Sequence, residues 1–212
     1  MQNPLPIDPK AALRHFKKSD ERMATLLTSA LATPAPIELP KPKKPDEFFT
    51  SIVRSIVSQQ ISVKAAASVY GRVEALLGTV TAENVNRADE DELRACGLSG
   101  QKTRYIVHNA SIWHEVPTTS FSDMSDEEVI TELTKLYGIG RWTAEMFLMF
   151  SLARPDIFSF GDLGLMQGLY QNYGYKKHWR RKVLQTVEAW SPHRTIASLV
   201  LWHQKDNEPV VY

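Results

Sequence analysis

Residues 142–153, WTAEMFLMFSLA, are apolar almost all round. A helix without a polar face has no place at a surface, so this segment is expected to be the most buried helix of whatever fold the chain adopts. Around it the sequence is punctuated for helices and carries almost no strand signal. A first helix is expected from Pro9 to Ala32. Pro34, Pro36, Pro40, Pro42 and Pro45 then make residues 33–45 an extended connector. FFTSIVRSIVSQQ repeats Phe49, Ile52, Val53, Ile56 and Val57 at helical spacing. Ser62 can cap the next helix, which ends near Gly78. ADEDELRACG reads as a short helix closed by Gly97, and Ser99 opens another through about His114. Ser125 and Glu128 form a capping box for a helix to Tyr137. Asp162 precedes LGLMQGLYQNY. Two more helices follow, from Lys176 to Trp190 and from Pro192 onward, with Ser191 and Pro192 as N-cap and first helical residue. The expectation is an all-α chain of about ten helices.

Composition removes several function classes. The 212 residues suffice for one compact domain that hides roughly 70% of its unfolded surface. No apolar run approaches the ~20 residues of a transmembrane helix, and MQNPLPIDPKAALRHF lacks the apolar stretch of a signal peptide. A single cysteine, Cys96, excludes an internal disulfide and any four-cysteine zinc or iron–sulfur site, and an intracellular compartment is the expectation. A net charge of +1 argues against a protein that coats nucleic acid by charge alone. It leaves room for a nucleic-acid enzyme with a small footprint.

The strongest chemical signal is ELTKLYGIGRWTAEMF, residues 132–147. One helix ends, Gly138 and Gly140 form a G-x-G turn, and a second helix starts at once. Two glycines let the backbone take positive φ and approach another molecule closely. Amides at the start of the second helix then face outward beside its positive dipole end, where a phosphate can bind without sequence being read. An ordinary αα-hairpin with a glycine turn would have the same local pattern. GLSGQKTRYI, from Gly97, echoes it in having a glycine turn that feeds a helix, but Ser99 stands where the second copy has Gly140, and the echo reads as a structural look-alike.

L-x-G-I-G-x-W-T-A, followed by Asp162 twenty residues after Trp142, resembles the helix-hairpin-helix–Gly/Pro–Asp superfamily of base-excision glycosylases. The 3-methyladenine DNA glycosylase II branch is the nearest in pattern. SIVSQQIS at 55–62, GLSGQKTRYI at 97–106 and WSPHRTIASLVLWH at 190–203 are similar to its other blocks in the same order, so the likeness covers residues 46–205. The resemblance implies one domain of two helical lobes, 46–164 with the hairpin, and 1–45 with 165–212. The active site would lie in the groove between them. The chain is too short for the extra N-terminal domain of many members, which suggests the compact form. Where relatives often have proline, this chain has Arg141, which adds a cation near the phosphate.

Asp162, in FSFGDLGL, matches the family's catalytic aspartate. Cleaving an N-glycosidic bond develops oxocarbenium character on the sugar, and a nearby carboxylate stabilises that charge or orients the attacking water. As a plain N-cap, Asp162 would need no such role, but a helix N-terminus also favours the ionised carboxylate. Trp142 stands where endonuclease III relatives carry a nucleophilic lysine. An indole cannot form a Schiff base, so simple hydrolysis without strand cleavage is expected. The resemblance makes Trp142 and Trp202 aromatic walls for a flipped, cationic purine, with Met146 at a position that is aromatic in some relatives. DNA contacts are expected at Gly138, Ile139, Gly140, Arg141 and Thr143, with Gln59 and Gln60 behind the extruded nucleotide and Gln60 as the plug. YKKHWRRK at 175–182 is a basic, aromatic-bearing cluster that would suit flanking phosphates or simply a charged surface helix.

The partner implied is double-stranded DNA with alkylated bases, bound by a monomer away from any membrane. No cofactor is required. The family often holds a sodium or potassium ion through hairpin carbonyls, here those of Thr134, Leu136 and Gly138. Two other readings stay open: a helix-hairpin-helix binding module without catalysis, which leaves Asp162 and both tryptophans without a role, and a glycosylase for oxidised or mismatched bases, against which Trp142 counts.

Overall fold

The structure, a computed structural model, describes residues 7–176 and 178–206. Among them there are twelve α-helices and no strand. In chain order these are α1 Pro9–Ser19, α2 Glu21–Ala32, α3 Phe48–Ser58, α4 Val63–Leu77, α5 Ala82–Arg87, α6 Glu90–Ala95, α7 Gly100–Ile112, α8 Asp126–Leu133, α9 Arg141–Phe150, α10 Leu163–Tyr173, α11 Arg180–Ala189 and α12 Arg194–Asp206. The all-α expectation holds, and four helices start where a capping side chain was expected. Ser62, Ser99 and Asp162 accept from the amides of Ala65, Lys102 and Leu165, and Ser125 with Glu128 makes the full capping box. No helix among the described residues is long and apolar enough to cross a membrane.

The chain divides into two compact units, residues 42–147 in one and 7–41 with 148–206 in the other. The boundary falls inside α9, whereas a lobe running to residue 164 was expected. Residues 148–164 belong instead with the C-terminal helices, because α12 holds them. Ile157 N donates to Thr195 Oγ1 (3.1 Å), Ser198 Oγ donates to the Ile157 carbonyl (3.1 Å), and Thr195 N donates to the Pro155 carbonyl (3.0 Å). Asp162 is thereby placed on the same unit as Trp202.

The 42–147 unit is built on α3, whose Ile52, Val53, Ile56 and Val57 are buried against α4 and α7. Phe147 meets Phe48 edge-on at 5.1 Å and Phe121 at 6.0 Å, forming its aromatic core. In the other unit α1 packs on α2, and α2 and α10 pack on α12, around the fully buried Trp190, Phe16 and Leu27. α9 is the apolar helix read from 142–153: residues 143–149 are all buried. It ends at Phe150 rather than at 153, because Arg154 N donates back to the Leu148 carbonyl (2.9 Å) and Ala153 takes φ +51°.

Four other helix limits differ from expectation. The span Pro9–Ala32 is two helices broken at Asp20, which is extended, caps Met23 and accepts from Tyr173 Oη (2.7 Å) and Trp190 Nε1 (2.8 Å) through its second oxygen. Burial, with Asp20 beside it, pushes the Tyr173 phenol up, so it stays a donor. α8 stops at Leu133, since Asn109 takes both polar groups of Tyr137. α11 begins at Arg180 rather than Lys176; Lys177 lies outside the described residues. α12 begins at Arg194, not Pro192. Its cap is Asp156, which accepts from Arg194 N (3.1 Å), from the guanidinium at 2.8 and 2.7 Å, and from Ser191 Oγ (2.7 Å). Burial alone would raise the Asp156 carboxyl, but Arg194 and Ser191 hold it below the usual carboxylate range. α5, capped by Thr81, was not expected at all.

Candidate functional site

The hairpin between α8 and α9 is fixed from below. Gly138 has φ +77°, and a Cβ there would run into the Tyr105 ring, so only glycine fits. Gly140 differs from the expectation: its φ is ordinary and a Cβ would meet nothing within 4 Å. It leaves open space over the start of α9, with Ile139 buried beside it as an anchor. Asn109, fully buried, accepts from Tyr137 N (2.8 Å) and donates to the Tyr137 carbonyl (2.9 Å). Gln59 Nε2 donates to the Gly138 carbonyl (2.9 Å), joining the end of α3 to the turn.

That end of α3 is itself pinned. Lys102 Nζ donates to the carbonyls of Val57 (2.8 Å) and Gln59 (2.7 Å), placing a cation at the negative end of the helix. Burial pushes the Lys102 ammonium below its ordinary value. Beyond the pin, Gln60 is exposed and held at φ +60°, a left-handed conformation that costs a non-glycine residue about 1–2 kcal/mol. Arg141 does not stand as a bare cation. Its guanidinium bonds both Glu127 oxygens and, through Nε, Glu145 Oε1 (3.0 Å). The Glu127 hydrogen bonds raise Arg141 and hold the Glu127 carboxyl low. Trp142, on the first turn of α9, is 39% exposed, while Thr143 and Met146 are buried.

In the other unit Asp162 caps α10. Its Oδ1 accepts from Leu165 N (2.7 Å) and from the Trp202 indole Nε1 (3.2 Å), and the residue is 7% exposed. A carboxylate this buried is tolerable only with donors of that kind. Trp202, expected as an aromatic wall of the base pocket, is 3% exposed and stacks on Phe150 at 6.0 Å. α10 reaches α12 because Gly168 has no side chain: a Cβ there would lie 3.0 Å from the Leu201 carbonyl.

A helix–G-x-G–helix turn with open space at Gly140, and a buried carboxylate at a helix start, define a recognisable pair of features. Residues 53–193 match the model of the HhH-GPD superfamily base excision DNA repair proteins. The chain belongs to the HhH-GPD superfamily. DNA-3-methyladenine glycosylase 1 of Schizosaccharomyces pombe is 34% identical over 163 residues, 74% of this chain and 72% of that protein. The crystal structure of a DNA-3-methyladenine glycosidase from Bacillus halodurans superposes with a TM-score of 0.78 at 35% identity, covering 92% of this chain and 90% of that one. The 3-methyladenine DNA glycosylase of S. pombe, in complex with abasic DNA, gives 0.77 at 28% identity, with 94% and 100% covered.

As a member of the HhH-GPD superfamily, the chain brings Gln59 to the hairpin in one unit and Trp202 to Asp162 in the other. Of the carbonyls expected as cation ligands, that of Gly138 accepts from Gln59 Nε2 (2.9 Å) and that of Leu136 accepts from Ile139 N (3.3 Å), one hydrogen bond each, which leaves a second lone pair on either oxygen. Sequence reasoning missed Lys102, Asn109, Gly164 and Gly168. The first two lie on the helix of the GLSGQKTRYI echo, which turns out to buttress the hairpin. The glycine pair in DLGLMQG, one helical turn apart, was the available sign of a close helix contact.

Proposed function

We propose that this chain is a monofunctional DNA glycosylase that flips out alkylated purines of the 3-methyladenine and 7-methylguanine type and excises them by hydrolysis. The observation that carries the reading is Asp162, a buried carboxylate held by a helix-start amide and an indole N–H. As the bond from the sugar C1′ to the base nitrogen breaks, its electron pair leaves with the base and positive charge grows on the sugar. A fixed carboxylate stabilises that charge with no reorganisation at the moment of reaction. It also orients the water whose oxygen bonds C1′ and whose proton is shed. A cationic base is already a good leaving group, so little acid help is needed.

The amides at the start of α9 grip a phosphate in the open space over Gly140, and exposed Gln60 fills the hole left by the extruded nucleotide, offsetting an unstacking cost of a few kcal/mol. Trp142 offers an aromatic face where a lysine would be needed for strand cleavage. The chain acts as a monomer without a required cofactor. Methylated duplex DNA incubated with the protein should yield free 3-methyladenine and 7-methylguanine and an intact abasic strand. Asp162→Asn should keep DNA binding and lose base release by orders of magnitude; near-normal single-turnover rates in that variant would reduce Asp162 to a helix cap.

A further inference from the structure

Trp202 and Asp162 face each other across a gap that a methyl group would close. A Cβ at Gly164 would lie 3.1 Å from Asp162 Oδ1 and 3.2 Å from Trp202 Nε1. Glycine at 164 therefore keeps clear the line along which the indole N–H reaches the carboxylate. Two donors, Leu165 N and Trp202 Nε1, converge on the same oxygen. One comes from the chain beside Asp162 and the other from α12, 40 residues away. Leu165 N ties the carboxylate to the start of its own helix, and the Trp202 N–H ties the same oxygen to α12. Trp202 is itself locked, by its stack on Phe150 and by burial to 3% exposure.

We propose that Trp202 is a positioning residue, whose indole N–H sets the orientation of the Asp162 carboxylate, instead of an aromatic wall that stacks on the base. The inference rests on the glycosylase reading above. It gives the two tryptophans different roles, since Trp142 keeps an exposed face for a ligand and Trp202 acts through Asp162. Because positioning is indifferent to the charge of the base, its loss falls equally on every substrate.

Two variants attack the bond from opposite sides. Trp202→Phe keeps a ring against Phe150 and deletes only the donor; Gly164→Ala keeps the donor and crowds the gap while favouring the helix. Both should slow single-turnover release by about ten- to a hundredfold, the usual worth of a hydrogen bond to a charged group. The loss should be the same on 7-methylguanine and on neutral hypoxanthine, with unchanged affinity for duplex carrying an abasic-site analogue. In the unmodified protein the Trp202 indole proton resonance should lie downfield and move upfield in Asp162→Ala, a reading that needs no activity and no folded Trp202 variant. Wild-type rates in Trp202→Phe and Gly164→Ala, beside an inactive Asp162→Asn, would overturn the positioning role and leave the glycosylase reading intact. So would a loss confined to the cationic base. If Asp162→Asn kept its rate, the functional reading would fall, and an indole resonance indifferent to Asp162→Ala would remove the bond itself.

Discussion

The side chain of Asn109 closes both polar groups of Tyr137, accepting from its N–H at 2.8 Å and donating to its carbonyl at 2.9 Å. Tyr137 immediately precedes the positive-φ Gly138, so one buried amide from α7 sets where the hairpin turns. Asn109→Leu should therefore cost about 2–4 kcal/mol in urea unfolding, since two buried backbone groups lose their partner. A loss under about 1 kcal/mol would mean that water replaces Asn109 freely.

Gly140 and Arg141 separate geometry from charge at the phosphate grip. Gly140→Val places a branched side chain in open space and should leave stability nearly unchanged while weakening duplex binding by about tenfold or more, the worth of a charge-assisted amide contact. Arg141→Ala should weaken it less, because its guanidinium is already engaged by Glu127 and Glu145. Titrations at two salt concentrations measure both; a larger loss at Arg141 would show an ionic grip.

Gln60 is held in a conformation that glycine adopts without strain. Gln60→Gly should raise unfolding free energy by about 0.5–1 kcal/mol and yet slow base extrusion, followed by 2-aminopurine fluorescence opposite the lesion. Faster or unchanged extrusion would show that the plug lies elsewhere.

Trp142 in place of a nucleophilic lysine predicts an abasic product with both strands whole. Borohydride added during turnover on damaged duplex should trap nothing; a covalent protein–DNA adduct would establish a lyase step and sink the monofunctional reading.

The exposed face of Trp142 should favour bases with delocalised positive charge. Trp142→Ala is expected to slow 7-methylguanine release by about five- to thirtyfold more than hypoxanthine release, the range of a desolvated cation–π contact. Equal losses would leave Trp142 with a role in shape only.

What the sequence determined by itself was local. Ser62, Ser99, Ser125 and Asp162 each cap a helix because their side chains reach an amide two or three residues on, an interaction that needs no tertiary partner. The apolar surface of α9, the G-x-G turn and the spacing to Asp162 were equally legible, being set by periodicity and chain distance. The tertiary structure decided every feature in which a residue far along the chain competes for backbone or side-chain polar groups. Asp20 splits the first helix because Tyr173 and Trp190 are there to use its second oxygen. α12 starts late because Asp156 caps it from outside. Trp202 is an aromatic like Trp142 in the sequence, and only packing makes one a buried donor to Asp162 and leaves the other exposed. Buried polar groups must find partners wherever the fold brings them, and local pattern carries no record of which distant residue that will be.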